Sequence, residues 1–205
     1  MDPDPREAIL DFWFGASEPD FDELERRISL WFEAGPQVDA EIASRFGDIF
    51  EKARRGGLDV WKAAPRGRLA LIVLLDQFSR NLHRGTAAAF ASDAEALRLC
   101  LEGIELGLDN ELTIVQRAFF YMPLQHAEIA SAQEKSVQLF QALEAICPEA
   151  IRPHMHRFLV SARSHRNIVA KYGRFPHRNQ VLGRKCSDAE EEFLSVGMVP
   201  FRSKN

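Results

Sequence analysis

Charged side chains follow an apolar stretch of the chain on what would be a single face of one helix. Residues 69–75 are all apolar, and Asp76, Arg80, His83 and Arg84 come next at spacings of about one helical turn. Burying such charges without partners costs several kcal/mol. The pattern therefore predicts one of two arrangements. Either Asp76 and Arg80 form ion pairs with another helix, or these side chains form the polar wall of a functional pocket.

A second group of polar residues follows Pro123, which we expect to end or kink a helix running from Leu112 to Tyr121. His126 could act as a general base, although buried histidines are also commonly held by a carbonyl or carboxylate group. His126 and Glu128 are two residues apart, so a regular helix directs them to roughly opposite sides. No two histidines are three or four residues apart, the spacing that would place both on one metal ion. We therefore predict no metal site.

The third feature is a basic segment, residues 150–187, which contains no Asp or Glu, nine Lys or Arg residues and four of the six histidines. The segment carries +9 and the whole chain −4, so the remainder carries −13. The segment could pack against acidic neighbours, or it could bind an anion. Nucleic acid is disfavoured as a partner, because the chain as a whole is acidic and contains no recognised binding module.

Arginines cluster around a turn near the end of the basic segment, where Gly173 and Pro176 follow a predicted helix. Arginine forks suit carboxylate or phosphate groups, although charges at a helix C-terminus also stabilise the helix dipole. The three features together define a set of candidate residues. The catalytic candidates are His126, His177 and Asp76, and the ligand-binding candidates are Arg80, Arg84, Glu128, Arg174, Arg178 and Arg184.

The segments that must position these residues show mainly the sequence signals of α-helices. Asp4 and Ser187 are predicted N-caps, and the apolar residues elsewhere recur at helical spacing with no strand or hairpin pattern. The stretch 68–82 is apolar on all sides at its start, which is typical of a central, buried helix. We therefore predict an all-α protein of roughly eight to eleven helices, in which Leu71, Leu74, Leu75 and Phe78 are almost fully covered.

Composition places the chain among ordinary globular proteins. Its 205 residues, 46% hydrophobic and 27% charged, suit one large domain or two small ones, and we expect a single helical domain over residues 1–205. Residues 69–75 form the longest apolar run, too short to cross a membrane, and the acidic start does not resemble a signal peptide. The three cysteines are odd in number and far apart, which favours a reducing cytoplasm.

The features described above also carry a resemblance to a known family. Residues 9–15, 69–86, 119–128 and 165–184 resemble the bacterial family called domain of unknown function 924, and the resemblance extends over about residues 6–195. It implies a fold of tetratricopeptide-like antiparallel helical hairpins and implies no reaction. Ser79 replaces the proline usual in the family, which would let the central helix continue without a kink. Ala127 stands where serine is common, so any role of that serine is in doubt here.

Three functional hypotheses remain open at this point. The protein could bind a small anionic molecule or an acidic peptide in a groove lined by Arg and His. It could instead be a hydrolase- or lyase-type enzyme with His126 or His177 as general base, or a purely structural helical domain. We expect Asp76, Arg80, His126, Arg174 and His177 to lie close together, with partners for Asp76 supplied by the basic segment. The sequence leaves the cofactor, the identity of the ligand and the oligomeric state undetermined.

Overall fold

The computed structural model describes residues 4–15, 21–33 and 35–196, and these residues form helices without any strand. The prediction of an all-α protein is confirmed. The ten α-helices of the described part are α1 (Pro5–Phe14), α2 (Phe21–Ile28), α3 (Pro36–Arg54), α4 (Pro65–Ile72), α5 (Ser79–Leu82), α6 (Asp93–Glu105), α7 (Ile114–His126), α8 (Ala130–Ile146), α9 (Arg152–Tyr172) and α10 (Asp188–Ser195). Short 3₁₀ turns join several of them, and none of the described helices is long and apolar enough to span a membrane.

Local signals decide where the first and last helices begin. The Asp4 side chain accepts a hydrogen bond from the Arg6 backbone N–H, and Pro5 occupies the first turn of α1. Ser187 and Glu190 form a reciprocal capping box at the start of α10. Both caps satisfy backbone groups that a helix end would otherwise leave unpaired. The two predicted N-caps are confirmed.

The central helix is continuous from α4 to α5, but its middle part is a π-helix, Val73–Phe78. Leu71, Leu74, Leu75 and Phe78 are each no more than 2% exposed, which confirms the prediction of a buried helix. The π-helical turn was not expected from the sequence, which predicted an unkinked helix. A π-helical turn adds a residue to the hydrogen-bonded ring and often occurs at functional sites. Here it carries Asp76.

Aromatic side chains pack the central helix against its neighbours. Trp13 of α1 makes edge contacts with Phe78 and Phe119, at ring separations of 5.4 and 5.8 Å. Trp31, in the π-helical turn Ser29–Glu33 that continues α2, lies 4.4 Å from the Phe119 ring. These contacts fix the position of α7 relative to the central helix. Helix α8 packs against both α7 and α9, and α7 also contacts the π-helical part of the central helix.

Helix α7 does not end before Pro123, as the sequence predicted, but continues to His126 with Pro123 inside it. The whole stretch 118–125 is buried. A proline removes one backbone hydrogen bond from the helix. The predicted end at Tyr121 was wrong because burial of this stretch, including Tyr121 and Leu124 at 0% exposure, outweighs the lost bond. The alternative, a kink at Pro123, stays a prediction. The backbone becomes extended at Ala127, so His126 is the last helical residue.

Candidate functional site

A cavity of about 450 Å³ lies between the polar end of the central helix, the C-terminus of α7, helix α9 and the 3₁₀ turn Pro176–Arg178. Its described lining contains four arginines and four histidines but no Asp or Glu. Aromatic and aliphatic side chains complete the wall. The lining residues are Ile28, Trp31, Phe32, Gln77, Arg80, Asn81, Arg84, Gly85, Ala89, Phe90, Met122, Gln125, His126, His154, Arg157, Phe158, Ser161, His165, His177 and Arg178.

Asp76 and His126 form a buried pair behind the cavity wall. The Asp76 side chain is 0% exposed, and its Oδ1 lies 2.7 Å from Nδ1 of His126. Gln77 donates a hydrogen bond to the other carboxylate oxygen, and Arg80 Nη1 lies 3.5 Å from Oδ1. Burial raises the pKa of Asp76, but Arg80 and His126 outweigh burial and hold that pKa well below its usual range. Asp76 is therefore an ionised acceptor for the Nδ1–H of His126.

This contact leaves the other ring nitrogen of His126 available. Nε2 of His126 makes no hydrogen bond with any described residue, and the ring lines the cavity. Burial lowers the pKa of His126, while Asp76 partly opposes that effect. The imidazole is therefore neutral at pH 7, with its proton on Nδ1 and a lone pair on Nε2. Such an arrangement can accept a proton or a hydrogen bond from a molecule in the cavity.

Two arginines from distant parts of the chain share the carboxylate of Asp93 at the start of α6. Arg80 donates from Nη1 and Nη2 to the two oxygens, at 3.0 and 3.2 Å, and Arg178 donates from Nη1 to Oδ2 at 3.2 Å. Arg80 also donates to the backbone carbonyl of Asp76 at 2.6 Å. Asp93 therefore holds two guanidinium groups together against their mutual repulsion.

Arg178 is fixed between aromatic rings. Its guanidinium carbon lies 4.5 Å from the ring centre of Phe90 and 4.6 Å from that of Phe175, and its side chain is only 8% exposed. Burial and the neighbouring Arg80 lower the pKa of Arg178 to about 10, so the group remains charged at pH 7. Its Nη2 makes no hydrogen bond with a described residue. This nitrogen therefore keeps hydrogen-bond donors that no described residue uses.

Two further histidines lie beside this arginine. The ring of His165 lies 6.2 Å from that of His126, and its Nδ1 donates to the Ser161 carbonyl at 2.9 Å. Burial, followed by His126, lowers the pKa of His165 to about 3. Burial, followed by Arg178, lowers the pKa of His177 to about 4. Both imidazoles are therefore neutral at pH 7, and the positive charge of Arg178 contributes to this.

The structure brings together some of the candidate residues predicted from the sequence. Arg80, Arg84, His126, His177 and Arg178 all line the cavity, and Asp76 lies directly behind His126. They come from the central helix, α7 and the 3₁₀ turn after α9, so packing rather than sequence proximity unites them.

The other three candidates lie outside the cavity lining. Arg174 forms a two-point ion pair with Glu190 of α10, with both distances 2.7 Å. Arg184 pairs with Glu128 at 2.6 Å, and Glu128 also accepts from the backbone N–H of Phe175 at 2.7 Å. These contacts anchor the segment that carries His177 and Arg178. Glu128, Arg174 and Arg184 thus have positioning contacts in this structure rather than places at the cavity wall.

The expectation that the basic segment supplies partners for Asp76 was wrong. Its carboxylate forms hydrogen bonds with Gln77 and His126 and an ion pair with Arg80, and none of these residues belongs to residues 150–187. Arg178 of the basic segment pairs with Asp93 instead. The reason is steric, because Arg80 lies one turn from Asp76 on the same helix and α7 ends directly against that turn. These nearer groups are therefore the partners of the Asp76 carboxylate.

Several residues at or behind the cavity wall escaped the sequence analysis. Asp93 had no signal beyond its place at a helix start, and its partners Arg80 and Arg178 are 13 and 85 residues away. Gln125 donates from Nε2 to the Ser161 hydroxyl at 3.0 Å, a contact that joins α7 to α9. Among the described residues, no group of three or more His, Cys, Asp or Glu side chains could hold a metal ion.

Comparisons with known proteins agree on a single family. The profile of a family described as "Bacterial protein of unknown function (DUF924)" matches residues 9–197. A solved structure of the protein of unknown function ATU0120 from Agrobacterium tumefaciens is 35% identical, with a TM-score of 0.79. That similarity covers 94% of this chain and 97% of the other. No curated protein matches the chain.

Proposed function

Because the chain belongs to the bacterial DUF924 family of proteins of unknown function, its function has to be inferred from its own site, and we propose that the cavity binds a small organic anion. The observation that carries the proposal is the composition of the wall, with four arginines, four histidines and no carboxylate facing inward among the described residues. The carboxylates that pair with Arg80 and Arg178 lie behind them, so their remaining donors are available to an anion.

The size and the remaining wall of the cavity narrow the class of ligand. A volume of about 450 Å³ lies within the range of roughly 300–1,000 Å³ that is usual for small-molecule sites. Trp31, Phe32, Phe90 and Phe158 contribute an aromatic surface to the same wall, and Phe90 lies against the Arg178 guanidinium. The ligand that fits best combines one carboxylate or phosphate group with an apolar body. An acidic peptide would enter only by its terminus, which makes it the weaker candidate.

A second candidate function is catalysis with His126 as general base. The 2.7 Å contact between Asp76 Oδ1 and His126 Nδ1 favours it, because an aspartate in this position orients an imidazole and stabilises its protonated form. His177 lacks such a partner, since its Nδ1 is buried without a hydrogen bond. A hydrolase- or lyase-type reaction on an anionic substrate would therefore use His126 rather than His177.

We also propose how the helices are arranged, how many domains the chain forms and in which compartment it resides. Helix α8 packs against both α7 and α9 through short connections, which supports a tetratricopeptide-like arrangement of antiparallel hairpins. One continuous core cluster that includes Ile9 and Leu159 supports a single domain over residues 1–205. All three cysteines are free, which supports a reducing compartment such as the cytoplasm.

Thermal unfolding and calorimetric titration with four anions test the binding proposal. The probes are phenylacetate, octanoate, phenyl phosphate and inorganic phosphate. The organic anions should raise the melting temperature more than inorganic phosphate, because only they fill the aromatic side of the cavity. Arg178→Gln should weaken their binding at least tenfold, and the matched variant Arg54→Gln, at an exposed ion pair with Glu51 on α3, should not. Absence of binding by all four probes would overturn the proposal, as would equal losses in the two variants.

A further inference from the structure

The inference deepens the proposed function and rests on it. We propose that the anion is held by the Arg178 guanidinium together with the imidazoles of His126 and His177, and that each bound anion brings one proton into the cavity. The ligand class is therefore an organic acid whose anion binds together with a proton, and occupancy of the site increases as the pH falls.

Three nitrogen atoms define the place where the anion would be held. Nη2 of Arg178, Nε2 of His126 and Nε2 of His177 belong to side chains that line the same cavity. None of the three makes a hydrogen bond with a described residue, although Nδ1 of His126 and Nη1 of Arg178 are both engaged with carboxylates. His177 and Arg178 are adjacent in one 3₁₀ turn, and that turn is anchored from behind through Phe175 and Arg184. The three side chains are therefore held in position before the ligand arrives.

The charges around this place are already balanced in the free protein. Arg80 and Arg178 face the ionised Asp76 and Asp93, and the neighbouring histidines are neutral. The outer arginines of the lining are balanced as well, because Arg84 pairs with Asp39 and Arg157 with Glu25. An added anion would therefore leave an uncompensated negative charge in a partly apolar cavity, which is costly. Uptake of a proton removes that cost.

His126 is surrounded by charges from each element packed against it. Asp76 and Arg80 face it from the central helix, Asp93 faces it from the start of α6, and His165 lies 6.2 Å away on α9. The two carboxylates favour a protonated imidazole, whereas burial and Arg80 oppose it. An anion bound beside the ring would add to the effect of the two carboxylates and favour the protonated imidazole.

His177 has a different set of neighbours. Arg178 of its own turn, His126 at the end of α7 and Arg184 of the following loop disfavour its protonated form, while Glu128 between α7 and α8 favours it. Asp76 does not take the proton instead, because Arg80 and His126 hold its pKa well below the usual range despite its burial. The two imidazoles are thus the groups whose protonation can match the charge of an incoming anion.

Calorimetric titration in several buffers measures this proton directly. Phenylacetate stays ionised between about pH 6 and 8, so any proton taken up must come from the buffer and be received by the protein. In buffers of different ionisation enthalpy, the slope of the binding enthalpy against the buffer enthalpy gives the number of protons. We expect about one proton per phenylacetate at about pH 7 and a Kd that falls about tenfold per pH unit as the pH is lowered.

Substitution of the two histidines tests whether they receive the proton. His126→Gln and His177→Gln each keep a hydrogen-bonding side chain that cannot titrate, and the two changes combined should reduce the slope to nearly zero. The matched control is His156→Gln, an exposed histidine of α9 that pairs with Glu144 outside the cavity lining, and it should leave the slope unchanged.

The outcomes separate the two proposals. Failure of phenylacetate to bind the wild-type protein would overturn the binding proposal itself. Binding with a slope near zero and a Kd independent of pH would overturn only the proton uptake. A slope that survives in the doubly substituted protein would overturn its assignment to His126 and His177. If that protein does not fold, the slopes measured separately for His126→Gln and His177→Gln decide the assignment.

Discussion

Asp76 and His126 are fifty residues apart in the chain, yet a carboxylate oxygen of one lies 2.7 Å from a ring nitrogen of the other. Each side chain comes from a helix whose regular geometry changes at that point. Asp76 lies in a π-helical turn, and His126 is the last residue of α7 before the backbone becomes extended. The pair joins the buried core to the cavity, because Asp76 is fully buried whereas His126 lines the wall.

Substitution of Asp76 should destabilise the protein. Asp76→Asn removes the charge that faces Arg80 and His126, and breaking one partner of a buried pair costs about 3–5 kcal/mol. Urea unfolding at pH 7 measures the loss. The exposed Glu51, which pairs with Arg54 on α3, offers the control Glu51→Gln, and this should cost no more than about 1 kcal/mol. Equal costs for the two variants would contradict a buried pair at Asp76.

The same carboxylate should contribute to acid sensitivity. The pKa of Asp76 in the folded protein lies below its unfolded value of about 3.9, so its stabilising contribution is complete above that value and is lost as the pH falls below it. In the Asp76→Asn protein, stability should therefore decline less steeply below about pH 4 than in the wild-type protein. Urea unfolding midpoints of both proteins, measured from pH 5 downward, test this expectation. Midpoints that decline equally in the two proteins would contradict it.

His177 should make stability depend on pH in a higher range. Its pKa in the folded protein, about 4, is lower than the unfolded value of about 6.5, so the unfolded chain binds more protons between these two values. Stability from this group is complete above about pH 6.5 and decreases as the pH falls toward 4. The His177→Gln protein should show a flatter profile over that range by urea unfolding, and His156→Gln should keep the slope of the wild-type protein.

Leu74 tests the importance of the central helix. Its side chain is 0% exposed, so Leu74→Ala should reduce the free energy of unfolding by about 2–5 kcal/mol through lost burial and the cavity left behind. Val60 is 81% exposed, and Val60→Ala should change stability by less than about 0.5 kcal/mol. A loss below about 1 kcal/mol at Leu74 would mean that the surrounding helices collapse into the vacated space.

Arg80 should be required for stabilisation of the protein by anions. Arg80 donates to both oxygens of Asp93, and its removal would leave that carboxylate to Arg178 alone. Arg178 would then be drawn more fully toward Asp93 and away from an anion. We expect Arg80→Ala to abolish the rise in melting temperature caused by phenylacetate, measured relative to the variant without ligand. If the rise is unchanged in this variant, Arg80, Arg178 and Asp93 form an ion-pair network with only a structural role.

Properties that depend on neighbouring residues could be predicted from the sequence alone. Asp4 and Ser187 cap helices because a cap needs only a side-chain oxygen within three residues of free backbone N–H groups. The apolar run that ends in Leu75 requires a buried helix wherever that helix lies in the fold. The all-α class and the concentration of cations in the basic segment follow from the same kind of local information.

Tertiary structure decided which of these charged residues meet. Arg174 and Arg178 are four residues apart, yet one pairs with Glu190 outside the cavity lining and the other with Asp93 at the cavity. Helical periodicity sets the direction of a side chain about its own helix axis only. The partner depends on how each helix is rotated and packed against the others, and the π-helical turn at Asp76 changes that rotation. Packing of the aromatic core, which fixes α7 against the central helix, therefore determined that His126 and not the basic segment would meet Asp76.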